Sequence, residues 1–261
     1  MVYDINGREV GNSFVASASL QTGIYEDTFY YFLRIMREKP DGTKQFPFVM
    51  AANGTSATDK SALDFALDNN FLLVTNSGLG NQSGQSWVPM AKLVENAQVI
   101  QDNTTSSYPP LVIDNNGNLS SPSPSVPSAD LITAGAVSVL TAFGPIIVDY
   151  EATAKADYPN ANNWEQNAQR QIIGQFANGD YAIITCEGRD YDNSVGWTIP
   201  QAQALCQQLN LKFAYNLDGG GSTETVVGKK QLNTIYENAT GRTVCSFIVF
   251  NGTDAYVARN E

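Results

Sequence analysis

The sequence contains no histidine, and this absence excludes more chemistry than any other feature of its composition. Histidine is the commonest general base and the commonest metal ligand in proteins. Ser–His–Asp and Cys–His mechanisms are therefore excluded, because both need an imidazole. Any proton transfer in this protein has to use Asp, Glu, Tyr or Lys side chains.

Cysteine is also scarce, with only Cys186, Cys206 and Cys245 in the chain. Their number is odd, no C-x-x-C pair occurs, and each lies in an apolar stretch. We therefore expect neither a zinc site nor a disulfide framework. We predict that all three are buried and pack as small hydrophobic side chains. No motif indicates a nucleotide, a redox cofactor or a metal site, so no cofactor is expected.

Charged residues make up only 16% of the 261 residues, and the net charge is −11. An acidic protein lacks the Lys and Arg surface that binds a nucleic-acid backbone. The same balance disfavours binding to an anionic membrane surface. We expect no nucleic-acid partner and no membrane insertion.

Long apolar segments are missing as well. The first ten residues, MVYDINGREV, have no apolar core typical of a signal peptide. The longest apolar stretch, 131–148, is interrupted by glycine and proline, which argues against a transmembrane helix. The expectation is synthesis in the cytoplasm without a signal peptide.

Strand-like segments make up most of what the sequence does contain. Two stretches have the form of hairpins, 110–120 with a turn near Asn116–Gly117 and 170–188 with a turn at Asn178–Gly179. Other segments rich in aromatic and β-branched residues lie at 13–20, 28–38, 45–52, 70–76, 144–152, 223–232 and 242–252.

Helical patterns are fewer. Residues 58–70 have apolar residues at helical spacing, and 198–210 begins with Thr198 and Gln201, which predict a capping box. The stretch 129–142 fits a helix or a buried strand. The polar segment 101–128 either separates two halves or is an insertion at the rim of one domain. The predicted fold class is α+β, with a mixed or antiparallel β-sheet core and a few covering helices.

A glycine-rich loop is the first candidate site. An apolar strand, KFAYNLD, ends at Asp218 and is followed by Gly219, Gly220, Gly221, Ser222 and Thr223. Consecutive glycines are costly in backbone entropy, so we expect a positive φ or a close backbone approach. Successive N–H groups in such a loop form an anion-binding nest. The alternative is a plain glycine turn closed by a hydrogen bond to the Asp218 carboxylate.

Further candidates lie at the ends of other predicted strands. Taken singly, each has an ordinary explanation as a turn or as a solvent-exposed residue. They are Asn53 and Gly54 after FVMAA, Arg170 at the start of RQIIG, Glu187 and Arg189 in CEGRD, and Arg242 before the last strand.

The order of these motifs resembles the phosphodiester glycosidase family over about residues 45–250. AANGTS is similar to the Ala-x-Asn-Gly strand end of the family, and FGPIIVDY to its Gly-Pro-x-Leu-Val strand. RQIIG…NGDYAIITCEGR resembles its Arg-x-x-Ile-Gly hairpin. WTIPQAQALCQQLNLKFAYNLDGGGST resembles its helix and Asn-Leu-Asp-Gly-Gly-Gly-Ser-Ser loop, and GRTVCSFIVF its closing strand. The resemblance implies a domain over 45–261, with 1–44 as N-terminal strands outside it.

The resemblance implies cleavage of the sugar C1–O bond in a sugar-1-phosphate diester. Asp218 is the expected carboxylate, with Glu187 as the next choice. Arg170 is the first choice for the phosphate-binding arginine and Arg242 the second. The other substrate-binding residues implied are Asn53, Gly54, Asn216, Gly219, Gly220, Gly221, Ser222, Thr223 and Arg189.

Three departures from the family pattern concern the substrate more than the fold. Thr55–Ser56 replaces Gly-Phe-Phe after Asn-Gly, Glu187 stands where Asp is commoner, and Thr223 replaces a second serine. These leave two other readings open. One is a weakly catalytic or non-catalytic module of a phage virion, for adsorption to carbohydrate or teichoic acid. The other is a structural capsid or tail protein. The expected partner is a glycosyl-phosphate small molecule or polymer, with a homo-oligomer or virion assembly as the protein partner.

Overall fold

Strands form most of the regular secondary structure in the computed structural model, which describes residues 3–4, 18–52, 60–69, 71–83, 86–190, 193–235, 241–251 and 256–259. The strands are β1 Tyr3–Asp4, β2 Ala18–Tyr25, β3 Thr28–Ile35, β4 Pro47–Ala51, β5 Phe71–Asn76, β6 Gly80–Ser83, β7 Ser86–Pro89, β8 Leu93–Glu95, β9 Gln98–Gln101, β10 Pro110–Asp114, β11 Leu119–Ser120, β12 Ala136–Thr141, β13 Gly144–Val148, β14 Glu151–Ala152, β15 Gln171–Gln175, β16 Tyr181–Cys186, β17 Phe213–Asn216, β18 Thr225–Val227, β19 Lys230–Gln231, β20 Ser246–Asn251 and β21 Tyr256–Arg259. The helices are α1 Ala62–Asp68, α2 Ser128–Thr133, α3 Ala161–Trp164 and α4 Ile199–Gln208, with 3-10 turns at Lys155–Asp157 and Gly220–Ser222.

The strands assemble into one large sheet and three smaller ones. The nine-stranded sheet has the order β1-β21-β2-β3-β16-β15-β17-β13-β14. Two five-stranded sheets have the orders β11-β10-β12-β8-β9 and β19-β18-β5-β20-β4, and β6 pairs with β7. The pairing is antiparallel apart from β2 with β21. The predicted α+β class with a sheet-dominated core and few helices is confirmed.

The elements stack in four layers, namely α4, the nine-stranded sheet, the smaller sheets and α1, and an apolar core lies between each neighbouring pair. One core lies between the nine-stranded sheet and the smaller sheets, around Ile173, Ile183 and Tyr215. A second lies on the opposite face of the nine-stranded sheet, where Ala202 and Cys206 of α4 pack. A third packs α1 on β5, β18 and β20. The central strands β15 and β16 are buried on both faces, as expected between two cores.

Both predicted hairpins are present. β10 and β11 turn through Gly117, and β15 and β16 turn through Gly179, each glycine having a positive φ. The undecided stretch 129–142 contains both alternatives in succession, since α2 ends at Thr133 and β12 begins at Ala136. A glycine at position 135 with φ of 105° allows the chain to change direction between them.

Both predicted helices are present, and α4 has the predicted capping box. The Thr198 hydroxyl accepts from the Gln201 amide, and the Gln201 side chain returns to the Thr198 backbone. α1 is shorter than 58–70, because Ser61 caps it by accepting from the Asp64 amide at 3.0 Å. Residues 53–59, just before this segment begins, lie outside the described part of the chain.

The N-terminal strands, the cysteines and the helices can be compared with the expectations from the sequence. Strands β2 and β3, from the N-terminal 44 residues, join the nine-stranded sheet through pairing of β3 with β16. The three cysteines are buried and unbridged, as predicted. Among the described residues, the helices are too short or too polar to cross a bilayer.

Candidate active site

The glycine-rich loop, defined as residues 218–223, is held at both ends by one buried side chain. The Asn76 amide donates to the Asp218 carbonyl at 2.7 Å, and its oxygen accepts from the Glu224 amide at 3.0 Å. The Asp218 amide donates to the Ser77 carbonyl at 3.0 Å. Asn76 ends β5, so the loop of β17 is fixed to a strand of the facing sheet.

Most backbone amides of this loop donate to acceptors within the protein. Gly219 donates to Asp218 Oδ1 at 2.9 Å, and Gly220 donates to the Gln169 carbonyl at 2.9 Å. Ser222 and Thr223 donate to the carbonyls of Gly219 and Gly220 at 3.2 and 3.1 Å. Because these N–H groups have acceptors, the geometry favours the alternative of a turn closed on the Asp218 carboxylate over an anion-binding nest.

The glycines are needed for close approach and for one positive φ. A Cβ on Gly219 would lie 2.8 Å from the Gln169 carbonyl oxygen, which is part of the backbone and cannot move aside. Gly220 has φ of +57°, and a Cβ there would lie 2.9 Å from Nη2 of Arg189. The glycine sequence thus lets the loop pack against the start of β15 and lets a guanidinium approach it.

Three polar side chains meet at a cavity of about 130 Å³ beside this loop. Asp218 accepts a hydrogen bond from the Ser222 hydroxyl, and Nη1 of Arg242 donates to Ser222 Oγ at 3.5 Å. A carboxylate, a hydroxyl and a guanidinium thus share one concave surface. The rest of the wall is formed by Gly78, Leu79, Gly80, Trp87, Thr243, Val244 and Cys245.

Burial in this wall raises the pKa of Asp218 from its ordinary value to about 6. The hydrogen bonds from Ser222 and the Gly219 amide, and the positive charge of Arg242, act in the opposite direction and favour the carboxylate. The result is a carboxyl group that ionises near neutral pH, as a general base requires.

Arg170, the first choice for binding phosphate, has another role in the structure. Its Nε donates to the Trp197 carbonyl at 2.8 Å, and Nη2 donates to the carbonyls of Asn163 and Gln166 at 3.0 and 2.5 Å. The residue is 2% exposed and does not line the cavity. This corrects the expectation, because the guanidinium is committed to holding the 163–166 segment on the α4 face of the sheet.

Asn216 also lies away from the cavity. Its side-chain amide donates to the Tyr158 hydroxyl at 3.0 Å on the α4 face. Burial raises the pKa of Tyr158 to about 12, while the charge of Arg170 opposes this rise. The predicted substrate contact of Asn216 is therefore replaced by a buried tyrosine–amide pair.

Glu187 and Thr223 are buried and do not face the cavity. Glu187 is fully buried, and its Oε1 accepts from the Thr234 amide at 2.8 Å. Thr223 is 1% exposed. Neither lines the cavity that Asp218, Ser222 and Arg242 share. Asn53 and Gly54, the other predicted contacts, lie outside the described residues.

Sequence reasoning missed three residues that shape this site: Asn76, Trp87 and Glu224. Glu224 is buried, and its carboxylate oxygens accept from the amides of Ala62 and Leu63 at 2.9 and 3.1 Å. It therefore connects the end of the loop to the start of α1. A single acid within the strand-like TETVV was the available signal, because a buried carboxylate must be paired or capped.

Glu224 is expected to make the stability of the protein fall as the pH rises. Burial raises its pKa from 4.5 to about 7, despite the two amides. The folded state then binds this proton more tightly than the unfolded state does. The unfolding free energy should fall by about 2–3 kcal/mol as the pH rises between those two pKa values and level off above them.

Thermal unfolding across this pH range measures the effect. Glu224→Gln should flatten the curve relative to wild type, while the exposed Glu151→Gln should leave it unchanged. An unaltered pH dependence in Glu224→Gln would contradict the raised pKa.

Among the described residues, no three His, Cys, Asp or Glu side chains are grouped as metal ligands.

The fold matches solved structures over nearly the whole chain. The zebrafish N-acetylglucosamine-1-phosphodiester alpha-N-acetylglucosaminidase catalytic domain, auto-inhibited by its pro-peptide, superposes with a TM-score of 0.71 at 12% identity, covering 97% of this chain and 87% of that one. A hypothetical protein from Synechocystis superposes with a TM-score of 0.65 at 12% identity, covering 92% and 61%. At such identities these likenesses establish the fold.

Sequence comparison gives a relative and a family. The SPbeta prophage-derived uncharacterized protein YomE of Bacillus subtilis (strain 168) is 32% identical over 107 residues, which is 41% of this chain and 16% of that protein. This chain thus spans only a small part of that relative's length. The family model for phosphodiester glycosidase matches residues 61–251, which include the glycine-rich loop, Arg189 and Arg242. The chain therefore belongs to the phosphodiester glycosidase family.

Proposed function

We propose that the protein hydrolyses the glycosidic bond of a sugar-1-phosphate diester at the cavity beside the glycine-rich loop. The observation that carries this proposal is the meeting of Asp218, Ser222 and Arg242 in one cavity wall. Membership of the phosphodiester glycosidase family supports the reaction class. The sugar and the group beyond the phosphate are not specified by these residues.

The reaction needs charge stabilisation more than proton donation. Water attacks the anomeric carbon, the C1–O bond breaks, and the phosphomonoester leaves with the bonding electrons as an anion. An ordinary glycosidase must protonate its alcohol leaving group. The phosphomonoester is already a weak base and needs little protonation. In the proposal, Asp218 removes the proton from water, and the arginine and serine stabilise the negative charge on the phosphate.

Two guanidiniums flank the loop in a protein whose net charge is −11. Arg242 lies beside Ser222, and Arg189 lies against Gly220. Arg242 lines the cavity and is half-buried, whereas Arg189 is exposed. A fixed positive charge in such a concave surface attracts phosphate more strongly than the average acidic surface repels it. Arg242 therefore takes the phosphate-binding role first considered for Arg170, with Arg189 as the second cation.

The pH dependence of kcat/KM tests the role of Asp218. If the carboxylate is the base, kcat/KM should rise with pH through about 6 and level off above it, because the pKa of Asp218 is raised to about 6. A limb near the ordinary value of 3.8 would contradict the desolvated environment. A limb of opposite sign, with activity increasing on acidification, would make Asp218 a proton donor.

A second candidate function is carbohydrate binding by a virion protein with little or no catalysis. The prophage origin of the relative YomE is the observation that favours it. Adsorption to a glycosyl-phosphate polymer such as teichoic acid would use the same arginines and the same cavity. It predicts polymer binding without turnover.

Release of phosphomonoester from a panel of sugar-1-phosphate diesters separates the two functions. Turnover by the wild type that is lost in Asp218→Asn supports hydrolysis. Polymer binding without release of phosphomonoester from any diester would overturn hydrolysis in favour of the binding function.

A further inference from the structure

A second groove lies on the nine-stranded sheet, beside the turn between β2 and β3. It has a volume of about 590 Å³ and is lined by Ile24, Asp27, Phe29, Tyr31, Asn193 and Ser194. Ile24 is 77% exposed and contributes an aliphatic side chain to the groove. None of these lining residues takes part in the chemistry described above.

Strand register places this groove in line with the glycine-rich loop. Ile24 of β2 lies opposite Phe29 of β3, and the Glu187 amide donates to the Phe29 carbonyl at 2.9 Å. Glu187 and Gln169 both bond to Thr234, and the Gln169 carbonyl accepts from Gly220. In the nine-stranded sheet, β16 and β15 separate β3 from β17, and the glycine-rich loop follows β17. At the usual strand spacing the groove therefore lies about 14 Å from the loop, farther than the length of one sugar ring.

One connecting loop contributes to both places. Arg189 reaches Gly220, while Asn193 and Ser194 line the groove. The Asp190 amide donates to the Ser194 carbonyl at 2.9 Å, which closes this loop on itself. The segment that carries Arg189 to the glycine-rich loop thus also carries two residues of the groove wall.

The groove is formed before any ligand arrives. The Phe29 amide donates to the Ser194 hydroxyl at 2.9 Å, and the Val195 amide donates to the Asp27 carbonyl at 3.3 Å. Asp27 belongs to a two-residue turn with positive φ at both positions, a tight hairpin connection. Phe29 and Tyr31 pack edge to face, with centroids 5.1 Å apart.

The chemistry of the lining suits a neutral sugar. Aromatic and aliphatic surfaces pack against the C–H face of a pyranose, and the carboxylate and amide of Asp27 and Asn193 can bond to hydroxyl groups. The lining residues include no lysine or arginine, and Asp27 repels phosphate. The groove therefore differs from the arginine-flanked cavity in the part of the ligand that it accepts.

We propose that this groove binds a neutral sugar unit of the same ligand beyond the scissile glycosyl phosphate, so that the substrate is an oligomer or polymer of glycosyl phosphate. This inference rests on the proposed hydrolysis. It adds a substrate class, because a single-repeat diester would leave the groove empty.

Glycosyl-phosphate oligomers of one to four repeats test the inference. For the wild type, kcat/KM should rise about tenfold or more from one repeat to three and then level off. Phe29→Ala should abolish this gain and leave the one-repeat value within about twofold. Ile24→Ser should reduce the gain without affecting folding, because Ile24 is exposed. Asp27→Asn removes the negative charge of the Asp27 carboxylate while preserving the turn. Val99→Ser is the matched control, because Val99 is an exposed apolar strand residue far from the groove in sequence, at 48% exposure.

The outcomes separate the two proposals. Equal kcat/KM at all lengths, or a gain that survives in both Phe29→Ala and Ile24→Ser, would overturn the groove while leaving hydrolysis intact. Failure to cleave even one repeat would overturn hydrolysis. Calorimetric titration with the same oligomers then decides the groove. Affinity that grows with length in wild type and not in Phe29→Ala supports the groove, and no binding at any length overturns it.

Discussion

Replacing Asp218 with asparagine is expected to lower kcat/KM on a sugar-1-phosphate diester by about 1000-fold or more. Asparagine has the same shape, and its oxygen can still accept from the Gly219 amide as the carboxylate does at 2.9 Å. What is lost is the ability to take a proton and to carry a negative charge beside the anomeric carbon. The Tm should change little, because the hydrogen bond that closes the turn is retained.

Two further variants make this result specific. Glu187→Gln tests the other buried carboxylate near the loop, which accepts from the Thr234 amide. Asp149→Asn is the surface control, since that side chain is 78% exposed and pairs weakly with Lys212. Full activity in Asp218→Asn would remove Asp218 as the base, and a collapse in Glu187→Gln alone would transfer the role to Glu187.

The two arginines should respond to substitution in opposite ways. Arg242→Ala is expected to reduce kcat/KM by about 100-fold or more with little change in stability, because its guanidinium lies at the cavity and is only half-buried. Arg170→Ala is expected to lower the unfolding free energy by about 3 kcal/mol or more, because three backbone carbonyls lose their donor inside the protein.

Chemical denaturation and steady-state kinetics on the alanine and lysine variants of Arg170 and Arg242 separate the two roles. Arg170→Lys should remain destabilised, because a single ammonium cannot reproduce the planar fork. Arg242→Lys should recover part of the activity. Loss of Arg242 should also move the limb assigned to Asp218 to higher pH, since its positive charge favours the carboxylate. An Arg170→Ala protein that is as stable as wild type and inactive would restore Arg170 to the phosphate site.

Local sequence signals predicted the elements that depend on local chemistry. The capping box at Thr198 and the hairpin through Gly179 need only residues a few positions apart, and both are present. The stretch 129–142 was undecidable because a short apolar run fits either state. The structure resolves it by using Gly135 as a break between helix and strand.

The residue types of the site could be predicted from the sequence, but the direction in which each side chain points could be predicted less well. The acid after an apolar strand marked Asp218, and the ordered motifs marked the loop. Whether a side chain at a strand end faces the cavity or the opposite core depends on alternation along β15 and β17, which places Arg170 and Asn216 on the α4 face. The occupied amides of the loop depend on Gln169, a residue about fifty positions away that no local pattern indicates.

The internal hydrogen bonds of the glycine-rich loop have a consequence for how the ligand preference of this protein can be changed. The main chain of the loop bonds to itself, to Gln169 and to Asn76. Side chains of the surrounding cavity wall can therefore be changed without changing the conformation of the loop. Ligand preference can then change by single substitutions in the surrounding wall, at Trp87 or Thr243, without rebuilding any main-chain anion site. A library confined to such wall positions should yield new sugar preferences at low cost in folding, whereas variation within the glycines should yield few soluble proteins.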